Sequence, residues 1–301
     1  MYSVVLILLA VAALPMVLAS TRFAPKPMAV LAVLGCVLPL LLPASFPLLR
    51  AATATLAGLF LVKTLQLLAK HEHPRGYLDS VLFLAIPAVV RWEQPRRPNL
   101  VRARRSLFTG LAQLALAFAL MQLGLLVAVR NPLQLVNTLV IIYLCLAGSF
   151  NLLVVPLALR GLDFDDPFHN PIAARTPAEF WGKRWNTWVN HMLYRYVFLH
   201  AGGRDRPARA VFAAFTVSGL LHELIVFAGT GAFSGWMGGF FLVQSVLVLA
   251  TSHPRMRGLA QRLPRLSWAL TLALMLFTGV LFVRGAAGID PTDAWRRCCL
   301  S

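Results

Sequence analysis

The chain has 301 residues, 58% of them hydrophobic and only 13% charged, with a net charge of +17. Soluble domains carry roughly a quarter charged residues, so this composition excludes them and points to a polytopic membrane protein. The surplus Lys and Arg lies between the apolar runs, where such residues set orientation and meet anionic headgroups. Nucleic acid is therefore not an expected partner, although a basic face can also attract an anionic cosubstrate.

Crossing a bilayer takes about 20 mainly apolar residues. In chain order the candidate spans are 2–19, 28–46, 51–68, 78–90, 106–129, 133–159, 210–229, 235–250 and 267–283. The expectation is an all-α, polytopic integral membrane protein of about eight to nine transmembrane helices, in one membrane-embedded unit covering 1–301. Helices are expected because backbone in lipid must satisfy its own hydrogen bonds, and these continuous runs lack the alternation of barrel strands. The first run lacks a charged leader and is longer than a signal-peptide core, so it reads as a first membrane helix. The fourth is short and contains Pro87, which suits a tilted, re-entrant or partly interfacial element.

Several residues interrupt these runs. Cys36 and Cys145 are expected to pack as small hydrophobes. Lys63, about two turns from Lys70, is expected to snorkel toward that end, with an inward-facing role left open. Three basic loops, 91–105, 160–209 and 253–265, fall on one side, assigned to the cytoplasm by the Lys/Arg bias. Arg22 and Lys26 fall outside on a nine-span count, a mild violation. The chain ends Cys298-Cys299-Leu300-Ser301, formally a prenylation box, but this topology puts that end out of reach of a cytosolic prenyltransferase. The internal repeat of many secondary transporters is missing.

The loop 160–209 carries the first candidate constellation. Asp163, Asp165, Asp166 and His169 are close enough to suggest a hard-cation site. No second acidic cluster completes one, so a turn-forming loop is expected and no metal is assigned. Thr176, Pro177 and Glu179 have capping-box spacing and open a short helix. Phe180, Trp181, Trp185 and Trp188 give it an aromatic face; Lys183 and Arg184 give it a cationic one. This mixture suits anchoring at the membrane interface. Asn186 closes the run with an amide that both donates and accepts.

The second constellation sits in VFAAFTVSGLLHELIVFAG. His222 is the only one of the seven histidines inside a long apolar run, and Glu223 is the only acid well inside one. Ionisable groups at membrane depth mark functional sites by default. Ser218 lies one turn before His222 on the same face, with Gly219 leaving room for an acyl chain or a neighbouring helix. Neutral imidazole suits general-base work. Glu223 points about 100° away, as a partner to another helix or an orienting group.

Phe180-Trp181-Gly182-Lys183-Arg184-Trp185-Asn186 followed by Ser218-Gly219-Leu220-Leu221-His222-Glu223-Leu224 resembles the paired signature of the wax synthase branch of the membrane-bound O-acyltransferase superfamily. The signature region spans 163–227, and Lys183 stands where that pattern often has arginine. The resemblance implies a lipid-buried enzyme that moves a long-chain fatty acyl group from acyl-CoA to the hydroxyl of a lipophilic alcohol. It makes His222 the catalytic base and Asn186 its companion. Trp181, Lys183, Arg184, Trp185, Ser218, Gly219 and Glu223 are the expected substrate-binding residues. Acyl-CoA enters as cosubstrate and no bound cofactor is expected. Arg102, Arg104 and Arg105 are further candidates for its phosphates, or simply enforce topology. The alternatives are a proton-coupled transporter that uses His222 and Glu223 as a relay, and a non-catalytic lipid-binding scaffold.

Overall fold

The computed structural model describes residues 2–20, 25–68, 76–86, 90–91, 97–126 and 132–289. Arg22, Lys70, Pro87, Arg96 and the terminal Cys298-Cys299-Leu300-Ser301 lie outside them. The helices run α1 (Tyr2–Ser20), α2 (Pro25–Gly35), α3 (Pro47–Leu68), α4 (Gly76–Ala85), α5 (Leu100–Leu126), α6 (Pro132–Leu153), α7 (Val155–Leu159), α8 (Pro177–Glu179), α9 (Thr187–Leu193), α10 (Pro207–Thr230), α11 (Trp236–Ser252), α12 (Pro254–Arg262) and α13 (Pro264–Ala286). Two short strands, β1 (Val90–Arg91) and β2 (Asp163–Phe164), pair antiparallel, with Val90 opposite Phe164.

Five stretches are long and apolar enough to cross a membrane: Pro47–Leu67, Leu100–Gly124, Leu133–Leu159, Pro207–Thr230 and Pro264–Ala286. The pair α11 and α12, bent by 76° at its break, is a broken span or a re-entrant loop and brings the number among the described residues to six at most. The expected eight to nine are not reached among the described residues. α1, 19 residues with Pro15 inside it, covers the first expected run, whereas two other runs are shorter than expected. α2 ends at Gly35, and a 3-10 turn containing Pro39 follows. α4 stops after ten residues, and the backbone is then extended at β1.

Small residues let the helices approach closely, as expected where lipid offers no hydrophobic driving force between them. A Cβ built on Gly110 of α5 would lie 2.9 Å from the Gly148 carbonyl oxygen of α6. Beside this contact the Asn151 amide donates to Gln113 Oε1 at 2.8 Å. Gly219 of α10 meets Gly238 and Phe241 of α11 in the same way. Leu18, Phe60, Leu84, Leu157, Phe164 and Trp188 belong to one buried cluster that ties the N-terminal helices to α9.

Lys63 does not snorkel. It is 4% exposed, with its ammonium 4.4 Å from the centroid of the Phe83 ring on α4. On that helix the buried Asp79 carboxylate pairs with Arg160 at 3.1 Å. The third span packs its cation inward because α4 supplies aromatic and acidic company within the bundle.

Contacts tie the loop 160–209 to Arg102 on one side and to the start of α13 on the other. Arg102 pairs with Asp166 at 2.9 Å, donates to the Phe164 carbonyl and lies over the Phe164 ring at 3.8 Å. Trp268 Nε1 donates to the Ile172 carbonyl at 2.8 Å, and Ser267 Oγ donates to that of Arg175. The acidic loop is thus a braced turn: Asp166 is paired with Arg102, and the Asp165 carbonyl accepts from Trp188 Nε1 at 2.7 Å. Among the described residues no three His, Cys, Asp or Glu side chains converge on a point that could hold a metal.

Candidate active site

The first motif starts where its capping residues dictate. Thr176 Oγ1 accepts from the Glu179 amide at 3.0 Å, and Pro177 occupies the first turn. The Glu179 carboxylate reaches back to the Arg175 amide at 2.8 Å, one residue before the cap. Its other oxygen takes Arg184 Nε at 2.8 Å. Burial acts to raise the Glu179 carboxyl, but the Arg175 amide and the Arg184 guanidinium outweigh it and hold it below the ordinary carboxylate range.

Only one turn of α-helix forms. Residues Phe180–Arg184 widen into a π turn closed by the Trp185 amide on the Phe180 carbonyl, a geometry frequent at functional sites. Asn186 then takes a left-handed backbone, with φ 44°, and ends the turn. Its Oδ1 caps α9 by accepting from the Val189 amide at 3.4 Å.

This segment descends into the bundle. The Ala178 amide meets Thr251 Oγ1 near the end of α11, whereas Trp181 Nε1 donates to Gln244 Oε1 at 2.9 Å, about two turns deeper. The indoles therefore face inward, and the expected role as interfacial anchors does not hold for them. Trp188 is 1% exposed in the core, and Trp181 and Trp185 stack among other rings. A mixed aromatic and basic composition reads alike at an interface and inside a bundle, so composition alone did not separate the two.

His222 joins the same group of rings. Its ring lies 4.5 Å from Phe241 and 6.1 Å from Phe282. Phe241 also touches Trp181 at 6.0 Å, Trp181 touches Phe240 at 6.2 Å, and Phe240 touches Phe282 at 5.3 Å. Five rings thus make a closed circuit that joins the two motifs. His222 Nδ1 lies 2.8 Å from the Ser218 carbonyl oxygen. A carbonyl only accepts, so Nδ1 carries the proton and Nε2 keeps its lone pair.

The remaining motif residues have structural partners. Ser218 is buried and supplies that carbonyl. The space beside Gly219 is filled by α11, the second of its two expected uses. The Glu223 carboxylate accepts from the Ser234 amide at 3.0 Å, the Ser234 hydroxyl at 3.1 Å and the Gly238 amide at 3.1 Å. It therefore sits at the N-terminus of α11, where a negative charge is favoured. The described hydrogen bonds join His222 neither to Glu223, as a proton relay requires, nor to Asn186.

Lys183 is exposed and borders a cleft of about 390 Å³ lined also by Asp165, His169, Thr187, Asn190, His191 and Tyr194. Arg184 has less to offer a ligand. Beyond Glu179, its guanidinium donates to the carbonyls of His169 and Asn170 at 3.0 and 3.2 Å. Arg102 is likewise occupied by the loop it braces. Sequence reasoning missed Phe240, Phe241, Gln244, Thr278 and Phe282. They lie in unremarkable apolar runs, and only Gln244 and Thr278 carried a polar signal.

Residues 165–243 match the membrane bound O-acyl transferase family. The chain is 33% identical over 141 residues to a long-chain-alcohol O-fatty-acyltransferase of Simmondsia chinensis, covering 42% of this chain and 39% of that one. It is 30% identical over 155 residues to a probable long-chain-alcohol O-fatty-acyltransferase 7 of Arabidopsis thaliana, covering 47% and 46%. It is also 32% identical over 125 residues to an acyl-CoA–sterol O-acyltransferase 1 of the same plant, covering 38% and 36%. The chain thus spans less than half the length of these curated relatives.

Proposed function

From a chain whose residues 165–243 carry the membrane bound O-acyl transferase match, we propose an integral-membrane enzyme that esterifies a lipophilic alcohol with a long-chain acyl group from acyl-CoA. The observation that carries this reading is the circuit of five rings, which sets the imidazole of one motif and the indole of the other in one aromatic cluster.

His222 Nε2 takes the proton of the alcohol as its oxygen attacks the thioester carbonyl. The tetrahedral intermediate collapses, the C–S bond breaks, and the imidazolium returns its proton to the leaving thiolate. The products are an ester and free coenzyme A. Asn186 Oδ1 is committed to the Val189 amide, so its Nδ2 is the group left for the developing oxyanion. This favours carbonyl polarisation over orientation of the imidazole.

The anionic head of acyl-CoA takes the cleft at Lys183, where His169, Asn190 and Tyr194 add donors. That face is the cytoplasmic one, in keeping with the Lys and Arg of the basic loops. The names of the relatives support a hydrophobic hydroxyl as acceptor, and they include both long-chain alcohols and a sterol.

The test is to incubate purified protein in nanodiscs with oleoyl-CoA and a panel of fatty alcohols and sterols, reading ester by mass spectrometry. His222→Ala is expected to lower turnover by about 10²–10⁴-fold while the protein stays folded. Full turnover by that variant with its best acceptor would overturn the mechanism.

A further inference from the structure

The circuit of rings is fastened by a polar link that neither motif contains. Gln244 of α11 is 0% exposed, and its amide is fully oriented. Trp181 Nε1 can only donate, so Gln244 Oε1 must face it, at 2.9 Å. Gln244 Nε2 then donates to Thr278 Oγ1 of α13 at 2.8 Å. Thr278, itself 5% exposed, passes its proton to the Leu274 carbonyl at 2.7 Å. One chain of hydrogen bonds thus runs from the first motif through α11 into α13.

We propose that Gln244, with Thr278 behind it, is the positioning residue of the active site. It fixes the rotation of the Trp181 indole. Through Phe241, one turn before Gln244 and in contact with both Trp181 and His222, it fixes the wall against which the imidazole stands. This rests on the acyl-transfer reading above and adds a residue outside both motifs. The physical reason is specificity of orientation. Ring contacts are tolerant of rotation, whereas an indole N–H facing a fully buried amide is not, because parting them leaves the Gln244 carbonyl without a partner in an apolar site. Gln244 touches no reacting atom, so its effect belongs on the chemical step and not on acyl-CoA binding.

The experiment combines Gln244→Leu, Trp181→Phe and the double variant, each in nanodiscs, with kcat and KM for oleoyl-CoA. Gln244→Leu is expected to lower kcat about tenfold, with KM unchanged within about twofold. In the Trp181→Phe background, which lacks the indole donor, Gln244→Leu is expected to add no further loss. Wild-type kcat in Gln244→Leu, or effects that simply multiply in the double variant, would overturn the proposal. Should Gln244→Leu fail to fold, Thr278→Val, which spares the indole bond and cuts the link behind it, is expected to lower kcat about threefold, and an unchanged kcat would count against the proposal.

A readout independent of turnover separates this from the reaction itself. With 15N-labelled tryptophan, the Trp181 indole signal is identified by its absence in Trp181→Phe. It is expected to resist hydrogen exchange in the wild type, to lose that protection in Gln244→Leu, and to keep it in Thr278→Val, whose indole acceptor is intact. Protection with no ester from any alcohol would mean that the acyl-transfer reading fails and the link stands. An unprotected indole in an active enzyme would mean the reverse.

Discussion

His222 donates its Nδ1 proton to its own helix, and that bond decides which nitrogen can act. Asn186 is constrained as tightly by its backbone. With φ at 44° it occupies a region that favours Asn and Gly among all residues. This allows a clean separation of backbone from carboxamide. Asn186→Gly is expected to keep the turn and lose the amide, giving a folded protein with kcat down by about 10²-fold. Asn186→Ala adds the strain of a left-handed Cβ, about 1–2 kcal/mol, and is expected to melt at lower temperature than the Gly variant. Equal turnover in wild type and Asn186→Gly would remove the carboxamide from the chemistry. The ionisable residue at depth was legible in the sequence because membranes admit so few. Gln244 was not: it is uncharged, and its indole partner lies 63 positions away.

At the scale of elements, the capping box at Thr176 was readable from spacing, whereas the π turn after it was not. No residue type demands five-residue closure; it follows from seating Trp181 against α11 while Arg184 reaches back to Glu179. That ion pair gives the segment a pH dependence. The Glu179 carboxyl is held below its unfolded value, so the folded state binds its proton less readily. Its stabilising contribution is complete above the ordinary carboxylate range and is lost as pH falls through the lowered folded value. Melting curves of wild type and Glu179→Gln are expected to differ at neutral pH and to converge in acid. A difference that persists unchanged well below the carboxylate range would contradict the assignment. Glu223, by contrast, was foreseeable as a partner to another helix, since its face differs from that of His222, and it holds the start of α11.

Over the whole molecule, composition gave the class and the paired motifs the signature region, while the described residues hold at most six candidate spans against the eight to nine expected. Hydropathy registers apolar length alone. It does not see that α4 stops at ten residues, or that α11 and α12 part at 76°. Charge alone placed the basic loops on one side, and the contacts of Arg102 with Asp166 and of Trp268 with Ile172 join the loop 160–209 to α5 and α13. With Arg184 and Arg102 occupied, Lys183 is left as the motif's cation for a ligand. Lys183→Ala is expected to raise KM for oleoyl-CoA by about fivefold, with kcat nearly unchanged, and the difference from wild type is expected to shrink as salt rises. A loss confined to kcat would place Lys183 elsewhere in the reaction.

The turn at 180–186 divides wet from oily: Gly182 and Lys183 border the cleft, Trp181 and Trp185 the rings. A thioester cut while straddling such a divide sorts its own fragments, the hydrophilic thiol dissolving back into water and the ester partitioning sideways among lipid tails. On the acyl-transfer reading, solubility thus parts the products with no moving gate and adds to the downhill pull of thioester cleavage.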